Sequence, residues 1–418
     1  MKTPASRANA ALDRFIRDVQ ADSVLAPVGE RLVAARAIAD FARLEAEVAG
    51  ALQLLDDLDL DLATRAAYVL HALREHGRAA EIPGDAGNAL RELLEGQQAA
   101  EKVGELHQAH AGNAEGLRRL LLAIIRDLRV VFILLARALA RLRAAEKMQD
   151  AQRRAQAQLT VDLFAPLANR LGIWQLKWEL EDLAFRYLQP ETYRRIVRLV
   201  DEREGNREAF ISTTIRALRS ALADAGIVAE IAGRPKHYYS IWKKMQRKGG
   251  DFYSLYDIRA VRVLVDDVAA CYAALGIVHS LWPPIPTEFD DYIARPKGNH
   301  YQSLHTAVVG PQGKNLEVQI RTHDMHAFAE RGVAAHWRYK EATAADGASR
   351  PRIAAPMVDP RAPVRARAAG RSIGTHGVSS GGGDQSFERK IAWMRQLLDA
   401  RDDHDDESTL VAAFRTDA

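Results

Sequence analysis

Two carboxylates between residues 233 and 321 have the type and spacing that could handle a polyphosphate. Asp257 begins a strand-like run. Glu317 lies in residues 316–321 (LEVQIR), where apolar and polar side chains alternate and so face opposite sides of a strand. Carboxylates on neighbouring strands beside a basic wall suit Mg²⁺, which takes few protein ligands and adds phosphate oxygens. The first acid could equally be a strand cap, and the second could belong to an exposed sheet face.

Positive charge is concentrated around the first acid: residues 233–262 contain eight Lys or Arg and two Asp. Lys236, Ser240 and Lys244 recur every four residues and therefore share one helix face. Arg234 precedes that helix, where backbone N–H groups also favour anions. A solvated helix face is the ordinary interpretation of a charge run, but this spacing favours a phosphate-binding edge. The sequence has no GxxxxGK[ST] pattern, which excludes an ordinary P-loop.

An aromatic residue in a predicted loop suggests a base-binding surface. Tyr301 lies near Lys297 and His305 in the sequence. Packing is the ordinary role of a loop tyrosine. The alternative is a platform on which a purine stacks, with Lys297 on a phosphate.

Helices and strands must position these residues. Residues 1–150 show helical periodicity with hardly any strand signal, and residues 116–143 predict the most apolar helix. A second helical set covers 151–206, and from 207 onward strands mixed with helices indicate an α/β or α+β domain. Strands are expected near 228–232, 257–265, 303–309 and 315–321, helices near 208–226, 237–249, 268–282 and 323–341, and a Pro-rich loop over 283–299.

Length and composition describe a multidomain protein. Its 418 residues, 48% hydrophobic and 27% charged with a net charge of +3, predict two or three folded domains. Residues 343–385 are too poor in large apolar side chains to fold alone and predict a disordered linker, and 386–418 predict one helix and a tail. The tail stops in mid-pattern, so we expect a longer natural chain. A single cysteine, Cys271, excludes a disulfide framework and multi-Cys zinc sites. We expect a cytosolic protein, because no apolar run approaches a membrane span and no leader is visible.

The motifs resemble the synthetase domain of the RelA/SpoT family, strongly over about 150–341 and by helix pattern alone before that. The matching motifs, in order, are 167–172 (LANRLG), 177–182 (KWELED), 233–245 (GRPKHYYSIWKKM), 256–262 (YDIRAVR), 288–292 (EFDDY), 301–305 (YQSLH), 317–321 (EVQIR) and 332–340 (GVAAHWRYK).

The resemblance implies both a fold and an activity. The expected fold is an all-α N-terminal domain like a degenerate HD hydrolase (1–150), a helical connector (151–206) and an α+β nucleotidyltransferase-like synthetase domain with a mixed sheet (207–342). The expected enzyme is a GTP pyrophosphokinase of the RelA-like branch. It transfers the β,γ-pyrophosphate of ATP to the 3′-hydroxyl of GDP or GTP and releases AMP, in the stringent response.

The same resemblance implies roles for individual residues. Asp257 and Glu317 would bind Mg²⁺, and Glu317 would also take the proton from the attacking hydroxyl. Arg234 and Arg262 would sandwich the adenine, which requires that the other face of the strand carrying Arg262, or a bulge, also meets ligand. The full ATP-binding set is Arg234, Lys236, Ser240, Lys244 and Arg262, and the GDP/GTP-binding set is Tyr292, Lys297, Asn299, Tyr301 and His305.

Two positions depart from the family pattern. Residues 288–291 read EFDD where bifunctional members carry RxKD. Exchanging two cations for two anions weakens the pull on the terminal phosphate of the acceptor, so we expect GDP to be preferred over GTP. His300 stands where the family usually has Gly, which constrains the loop carrying Tyr301.

Many members of this family carry a Mn²⁺-dependent hydrolase in the N-terminal domain, and the resemblance implies that its ligand positions are lost in this sequence. No histidine precedes His71, the His-Asp position reads His71-Ala72, and the next acidic pair reads Glu75-His76. Arg137 stands at the position of the later acid. We therefore expect no Mn²⁺ site and no alarmone hydrolysis.

Two other functions compete with the synthetase. An RNA nucleotidyltransferase is disfavoured, because basic patches interleaved with aromatics are missing outside the central stretch. A non-catalytic or autoinhibited nucleotide-binding regulator would use many of the same side chains. The expected partners are the nucleotides, with ribosome and uncharged tRNA bound only through domains beyond the synthetase, and neither a membrane nor DNA.

Overall fold

The computed structural model describes residues 4–36, 41–76, 87–109, 114–201, 204–234, 237–247 and 259–332. Two of the predicted site residues, Lys236 and Asp257, lie outside the described residues. The predicted linker 343–385, the predicted helix and tail 386–418, and the end of the helix expected at 323–341 lie outside them as well.

The N-terminal part of the chain is helical, as the periodicity predicts. Its helices are α1 (Pro4–Ala21), α2 (Ala26–Arg36), α3 (Phe41–Asp57), α4 (Leu62–Glu75), α5 (Gly87–Ala109), α6 (Ala114–Ile124) and α7 (Arg129–Ala144). The Asp61 carboxylate caps α4 by accepting from the backbone N–H of Thr64 at 2.6 Å.

The single apolar helix expected over residues 116–143 is wrong, because two helices, α6 and α7, occupy that run. The break lies at Asp127, whose carboxylate accepts a hydrogen bond from the backbone N–H of Arg129 at 2.9 Å. The Arg129 side chain also bonds Asp127 and reaches Asp61 at 2.7 Å. A local carboxylate therefore competes with helix continuation, which apolar periodicity does not reveal.

A helical connector follows, made of α8 (Asp150–Leu159), a π-helical turn (Thr160–Phe164), α9 (Ala165–Arg170), α10 (Trp174–Leu188) and α11 (Pro190–Asp201). Gly172 separates α9 from α10 with a φ of +70°, a conformation that suits glycine. Pro190 occupies the first turn of α11, where its missing backbone N–H would have no partner within the helix.

The C-terminal part combines α12 (Glu204–Asp224), α13 (Tyr238–Arg247), α14 (Val268–Leu281) and α15 (His323–Arg331) with five strands. The strands are β1 (Glu230–Gly233), β2 (Ala260–Val265), β3 (Pro284–Asp291), β4 (Leu304–Val309) and β5 (Asn315–Thr322). They form a mixed sheet in the order β1-β2-β5-β4-β3, in which only β2 and β5 are parallel. The strand β3 occupies residues 284–291 of the Pro-rich loop expected over 283–299, and the rest of that stretch is outside regular strands and helices.

Two hydrophobic cores hold these elements. One contains Leu316, Val318 and Ile320 from one face of β5 and packs against α12 and α14. The other runs without interruption from α1 through the connector to α13, where it includes Tyr239 and Trp242. The polar face of the sheet lies toward α15, which contacts β2 and β5. Within the described ranges, no helix combines the length and the apolar character that crossing a membrane requires.

Candidate active site

Glu317 lies on the polar face of β5, as the alternation predicts. Its Oε1 accepts a hydrogen bond from Gln319 Nε2 at 2.7 Å. Arg234 Nη1 lies 3.7 Å from the same oxygen, and His305 Nδ1 lies 3.9 Å from it. A carboxylate held between a cation and a neutral imidazole can ligate a divalent metal or accept a proton, so Glu317 fits the expected Mg²⁺ ligand.

Arg234 follows β1 directly, and its backbone N–H donates to the Ala260 carbonyl at 2.8 Å. On α13, Ser240 is exposed and Lys244 half-buried, and their spacing of four places them on one helix face. The third residue expected on that face, Lys236, lies outside the described residues. The helix is anchored by Trp242, whose ring lies 5.2 Å from that of Phe185 in α10.

Arg262 lies on the same face of the sheet as Glu317. It lies opposite Gln319 in the parallel β2–β5 register, and parallel partners share a face. Glu330 of α15 lies 3.5 Å from the Arg262 guanidinium and 3.3 Å from that of Arg321. Burial lowers the pKa of Arg262, and it lowers that of Arg321 to about 10, so Arg321 remains cationic at neutral pH.

The loop around Tyr301 forms an aromatic cluster. Tyr301 Oη lies 2.9 Å from His305 Nε2, and its ring meets those of Tyr292 and Trp174 edge-on. Lys297 Nζ lies 4.5 Å from the centre of the Tyr292 ring. Because Tyr301 is only 8% exposed, its packing role is evident, and a stacked base would have to enter between these neighbours.

Two loop residues shape the position of Tyr301. Asn299 uses both of its side-chain groups locally: Nδ2 donates to the Asn169 carbonyl at 3.1 Å, and Oδ1 accepts from the Tyr301 N–H at 3.3 Å. His300 has a φ of +59°, which lies in the left-handed region that glycine, the residue expected here from the family pattern, adopts without strain.

Burial lowers the pKa of His305 to about 4. The neighbouring charge of Glu317 opposes this shift, whereas the charges of Arg234, Lys297 and Arg321 add to it. The imidazole is therefore neutral at physiological pH and can either accept or donate a hydrogen bond between Tyr301 and Glu317.

The structure adds residues that sequence reasoning missed: Trp174, Trp178 and Asp182 on α10, and Glu330 on α15. Trp178 stacks on His237 at 4.9 Å, with the Arg234 guanidinium 5.0 Å from its ring centre. The spacing of four between Trp174, Trp178 and Asp182 was a usable signal. No sequence pattern indicated that Glu330 serves both arginines.

A second polar cluster lies in the N-terminal helices. His71, Glu75 and Glu101 each offer a ligand atom, and these atoms lie within 4.8 Å of one another, a grouping that could hold a metal ion. Glu101 is a further residue that the sequence did not single out. Ala72, at the expected aspartate position, is buried in the core.

Arg137 lies among these three side chains. Its Nη1 is 3.4 Å from His71 Nδ1, 3.4 Å from Glu75 and 3.3 Å from Glu101. Burial alone would raise the pKa of Glu101, but hydrogen bonding to His71 and the cationic neighbours hold it well below its usual range. A guanidinium in contact with all three donors does not fit a metal ion among them.

Comparison with known proteins agrees with this architecture. Residues 233–344 match the region found in RelA/SpoT proteins, and residues 33–174 match the HD domain. The chain is 39% identical over 371 residues to a GTP pyrophosphokinase of Photobacterium angustum, covering 87% of this chain and 45% of that protein. It is 45% identical over 303 residues to that of Escherichia coli K12, covering 71% of this chain and 41% of that protein. It is 41% identical over 367 residues to that of Streptomyces coelicolor, covering 87% and 40%.

The chain belongs to the RelA/SpoT family. It has an HD domain in its N-terminal part, followed by a synthetase domain with a mixed sheet. The chain spans less than half the length of the curated relatives that it matches.

Proposed function

We propose that this chain is a (p)ppGpp synthetase that joins the β,γ-pyrophosphate of ATP to the 3′-hydroxyl of GDP or GTP. The 3′-oxygen attacks the β-phosphorus, the bond between that phosphorus and the α,β-bridging oxygen breaks, and AMP leaves. The observation that carries this proposal is the position of Glu317 between Arg234 on one side and the His305–Tyr301 pair on the other. A donor and an acceptor nucleotide on those two sides would meet at this carboxylate.

The residues have distinct roles in this proposal. Glu317 accepts the proton of the attacking hydroxyl. Glu317 and Asp257 would hold Mg²⁺, which would neutralise charge on the pyrophosphate. Arg234 and Arg262 flank the adenine, while Lys236, Ser240 and Lys244 bind phosphates. The acceptor set is Tyr292, Lys297, Asn299, Tyr301 and His305.

The test uses γ-labelled ATP, GDP and Mg²⁺, with separation of the nucleotides. The wild-type chain is expected to give labelled ppGpp and an equal amount of AMP. Glu317→Gln keeps the size of the side chain but removes its charge, so turnover should fall at least about a hundredfold. Labelled ATP and GDP should still bind to it in equilibrium dialysis.

The matched control is Glu230→Gln, which makes the same substitution at an exposed residue of β1 in the same sheet. It should leave turnover unchanged. Undiminished ppGpp production by Glu317→Gln would contradict the role given to this residue. If the wild type binds both nucleotides and forms no product, the chain is a regulator or is autoinhibited instead.

We further propose that GDP is the preferred acceptor. Asp290 lies directly opposite His305 in the β3–β4 register, so both side chains share the site face. The Asp291 carboxylate is occupied, because it accepts from the N–H groups of Ile293 and Ala294 and from the Tyr272 hydroxyl. Glu288 and Asp290 are the two anions that replace the family's cations, and this register places Asp290 on the site face. The repulsion of an additional acceptor phosphate is therefore assigned to Asp290.

Competition between GDP and GTP tests this preference. The wild type should show the higher kcat/KM for GDP, and Asp290→Lys should shift the ratio toward GTP by about tenfold, since one repulsive charge becomes attractive. Asp266→Lys, a charge reversal at a residue with a 78% exposed side chain after β2, is the control and should not shift it. A wild-type preference for GTP would refute the proposal.

We also propose that the HD domain does not hydrolyse alarmones and needs no Mn²⁺. The contacts of Arg137 with His71, Glu75 and Glu101 support this, because a fixed cation already neutralises these groups. Incubation of the chain with ppGpp and Mn²⁺ should release no pyrophosphate. Manganese-dependent release would overturn the proposal.

The proposed setting is the stringent response in the cytoplasm, with ATP and GDP or GTP as substrates. Contacts with the ribosome and uncharged tRNA are assigned to regions other than residues 1–342. DNA is not expected as a partner.

A further inference from the structure

One face of α10 points toward the candidate active site along its length. Trp174, Trp178 and Asp182 recur every four residues and form a single stripe. Elsewhere on the helix, Leu180 and Phe185 are fully buried in the core shared with the N-terminal helices. The stripe is therefore presented by a helix that is itself held in place.

The middle and the end of the stripe contact Arg234 and His237, on the side of the site proposed for the donor nucleotide, ATP. The Trp178 ring stacks on His237 with an interplanar angle of 22°, and the Arg234 guanidinium lies 5.0 Å from its centre. Asp182 accepts from His237 Nδ1 at 3.1 Å and from the Tyr239 backbone N–H at 2.8 Å, at the start of α13. Arg234 and His237 are the two ends of residues 234–237, which we call the basic segment. Both ends contact α10.

The beginning of the stripe contacts the acceptor side. The Trp174 ring meets Tyr301 at 5.4 Å and 68°, an edge-to-face geometry. Lys177 Nζ lies 4.9 Å from the centre of the Trp174 ring, and Lys177 also pairs with Glu181 at 3.5 Å. Just before α10, the Asn169 carbonyl accepts from Asn299, which bonds the Tyr301 backbone. Trp178 therefore contacts a residue proposed to bind ATP, and Trp174 contacts a residue proposed to bind GDP or GTP.

We propose that Trp174 and Trp178 are positioning residues that act separately on the two substrates of the synthetase. Trp178 holds Arg234 in the orientation that receives ATP, and Trp174 holds Tyr301 in the orientation that receives GDP. This inference rests on the proposed function for the identity of the two nucleotides. Their one-turn separation on a rigid helix sets the distance between donor and acceptor sites.

The experiment compares Trp178→Leu with Trp174→Leu in the full chain. Loss of the cation–π contact should raise the KM for ATP by about tenfold with a smaller change for GDP. Loss of the edge-to-face contact should raise the KM for GDP by about threefold to tenfold with a smaller change for ATP. Trp178→Phe should restore part of the ATP affinity, because a benzene ring still offers a face to the guanidinium.

The control is Trp282→Leu, which removes an indole packed against the core that β5 forms with α12 and α14, on the opposite face of the sheet. It should leave both KM values within about twofold of the wild type. Equal effects of Trp174→Leu and Trp178→Leu on both nucleotides, or no effect on either, would overturn the inference.

Dialysis against labelled ATP and GDP in Mg²⁺ repeats the comparison without turnover. If the wild type makes no ppGpp but each variant loses binding of its own nucleotide selectively, the synthetase function is refuted and the positioning roles stand. If the wild type makes ppGpp but both variants lose binding of both nucleotides equally, the synthetase function stands and the positioning roles are refuted.

Discussion

At the scale of single residues, Arg137 places a permanent positive charge among His71, Glu75 and Glu101. Removing it takes the guanidinium away from Glu101 and leaves Glu75 with Arg141 alone, and breaking a largely buried ion pair in this way typically costs about 3 kcal/mol of unfolding free energy. Arg137→Ala should therefore unfold at lower temperature than the wild type. Mn²⁺ or Zn²⁺ should restore part of that loss, because the three ligand atoms are within 4.8 Å of one another.

Scanning calorimetry with and without the metal measures this effect. The wild type should not respond to metal at these residues, and Arg137→Ala/His71→Ala should lose the rescue. Arg119→Ala removes an arginine with a 73% exposed side chain and should change the unfolding free energy by less than about 0.5 kcal/mol. Arg137→Ala that is stable without metal would show that the guanidinium does not replace a cation.

His305 makes stability depend on pH. Its pKa is lowered to about 4 in the folded chain, against about 6.5 in the unfolded chain. Between these values the unfolded chain binds a proton that the folded chain does not, so the free energy of unfolding falls as the pH drops. His305→Gln should reduce the fall between pH 7 and pH 5 by about 1–2 kcal/mol.

Urea unfolding at the two pH values checks this prediction. His323→Gln, at a residue whose side chain is half exposed to water, serves as the control and should keep the wild-type fall. An identical pH dependence in His305→Gln and the wild type would contradict it.

At the scale of elements, Gly332 marks a close approach between α15 and the connector. It ends α15 with a φ of +57°, and a Cβ there would lie 2.2 Å from the Leu171 carbonyl oxygen. Gly332→Ala must therefore push α15, which carries Glu330, away from the α9–α10 turn. We expect a loss of about 2–4 kcal/mol in unfolding free energy and weaker ATP binding.

Gly276→Ala provides the comparison, because its added Cβ meets nothing within 4 Å and it lies inside α14. That change should stabilise by about 0.5–1 kcal/mol through helix propensity. Unfolding curves of the two variants in urea give the difference. Equal stabilities would mean that the contact between Gly332 and Leu171 carries no strain.

Period-two and helical patterns predicted most elements, but not those that depend on sheet position. β3 was predicted as a loop because prolines at 283, 284 and 286 lack an N–H. The strand lies at the edge of the sheet, where a missing donor is tolerated. Edge position is a property of the assembled sheet and cannot be inferred from this segment alone.

The candidate site was predictable where local pattern sufficed. The apolar face of β5 is confirmed, since Leu316, Val318 and Ile320 lie in the core. The α10 stripe was not predicted as part of the site, because Asp182 meets His237 across 55 residues of sequence. The face of the sheet on which Arg262 lies could be assigned only from the β2–β5 register. That register joins two strands separated in the chain by α14, β3 and β4.

At the scale of the whole molecule, the N-terminal helices and the synthetase share one core through the connector. Arg143 of α7 donates two hydrogen bonds to Glu179 of α10, at 2.5 and 2.6 Å. On the other side of the connector, Phe185 packs against Tyr239 and Trp242 of α13. A conformational change in the HD domain can therefore be transmitted from α7 through α10 to α13, which follows the basic segment.

This continuity predicts the behaviour of the synthetase when it is separated from the helices before it. A chain of residues 204–418 lacks α10, so Tyr239 and Trp242 lose their cover and Arg234 loses the Trp178 ring. We expect this chain to bind a dye specific for exposed apolar surface, to aggregate and to show no measurable ATP binding. Coexpression with residues 1–201 should return it to a soluble complex with ATP binding, because the missing faces of the core are supplied again. A monomeric, active 204–418 chain would mean that the sheet and its own helices position the basic segment without the connector.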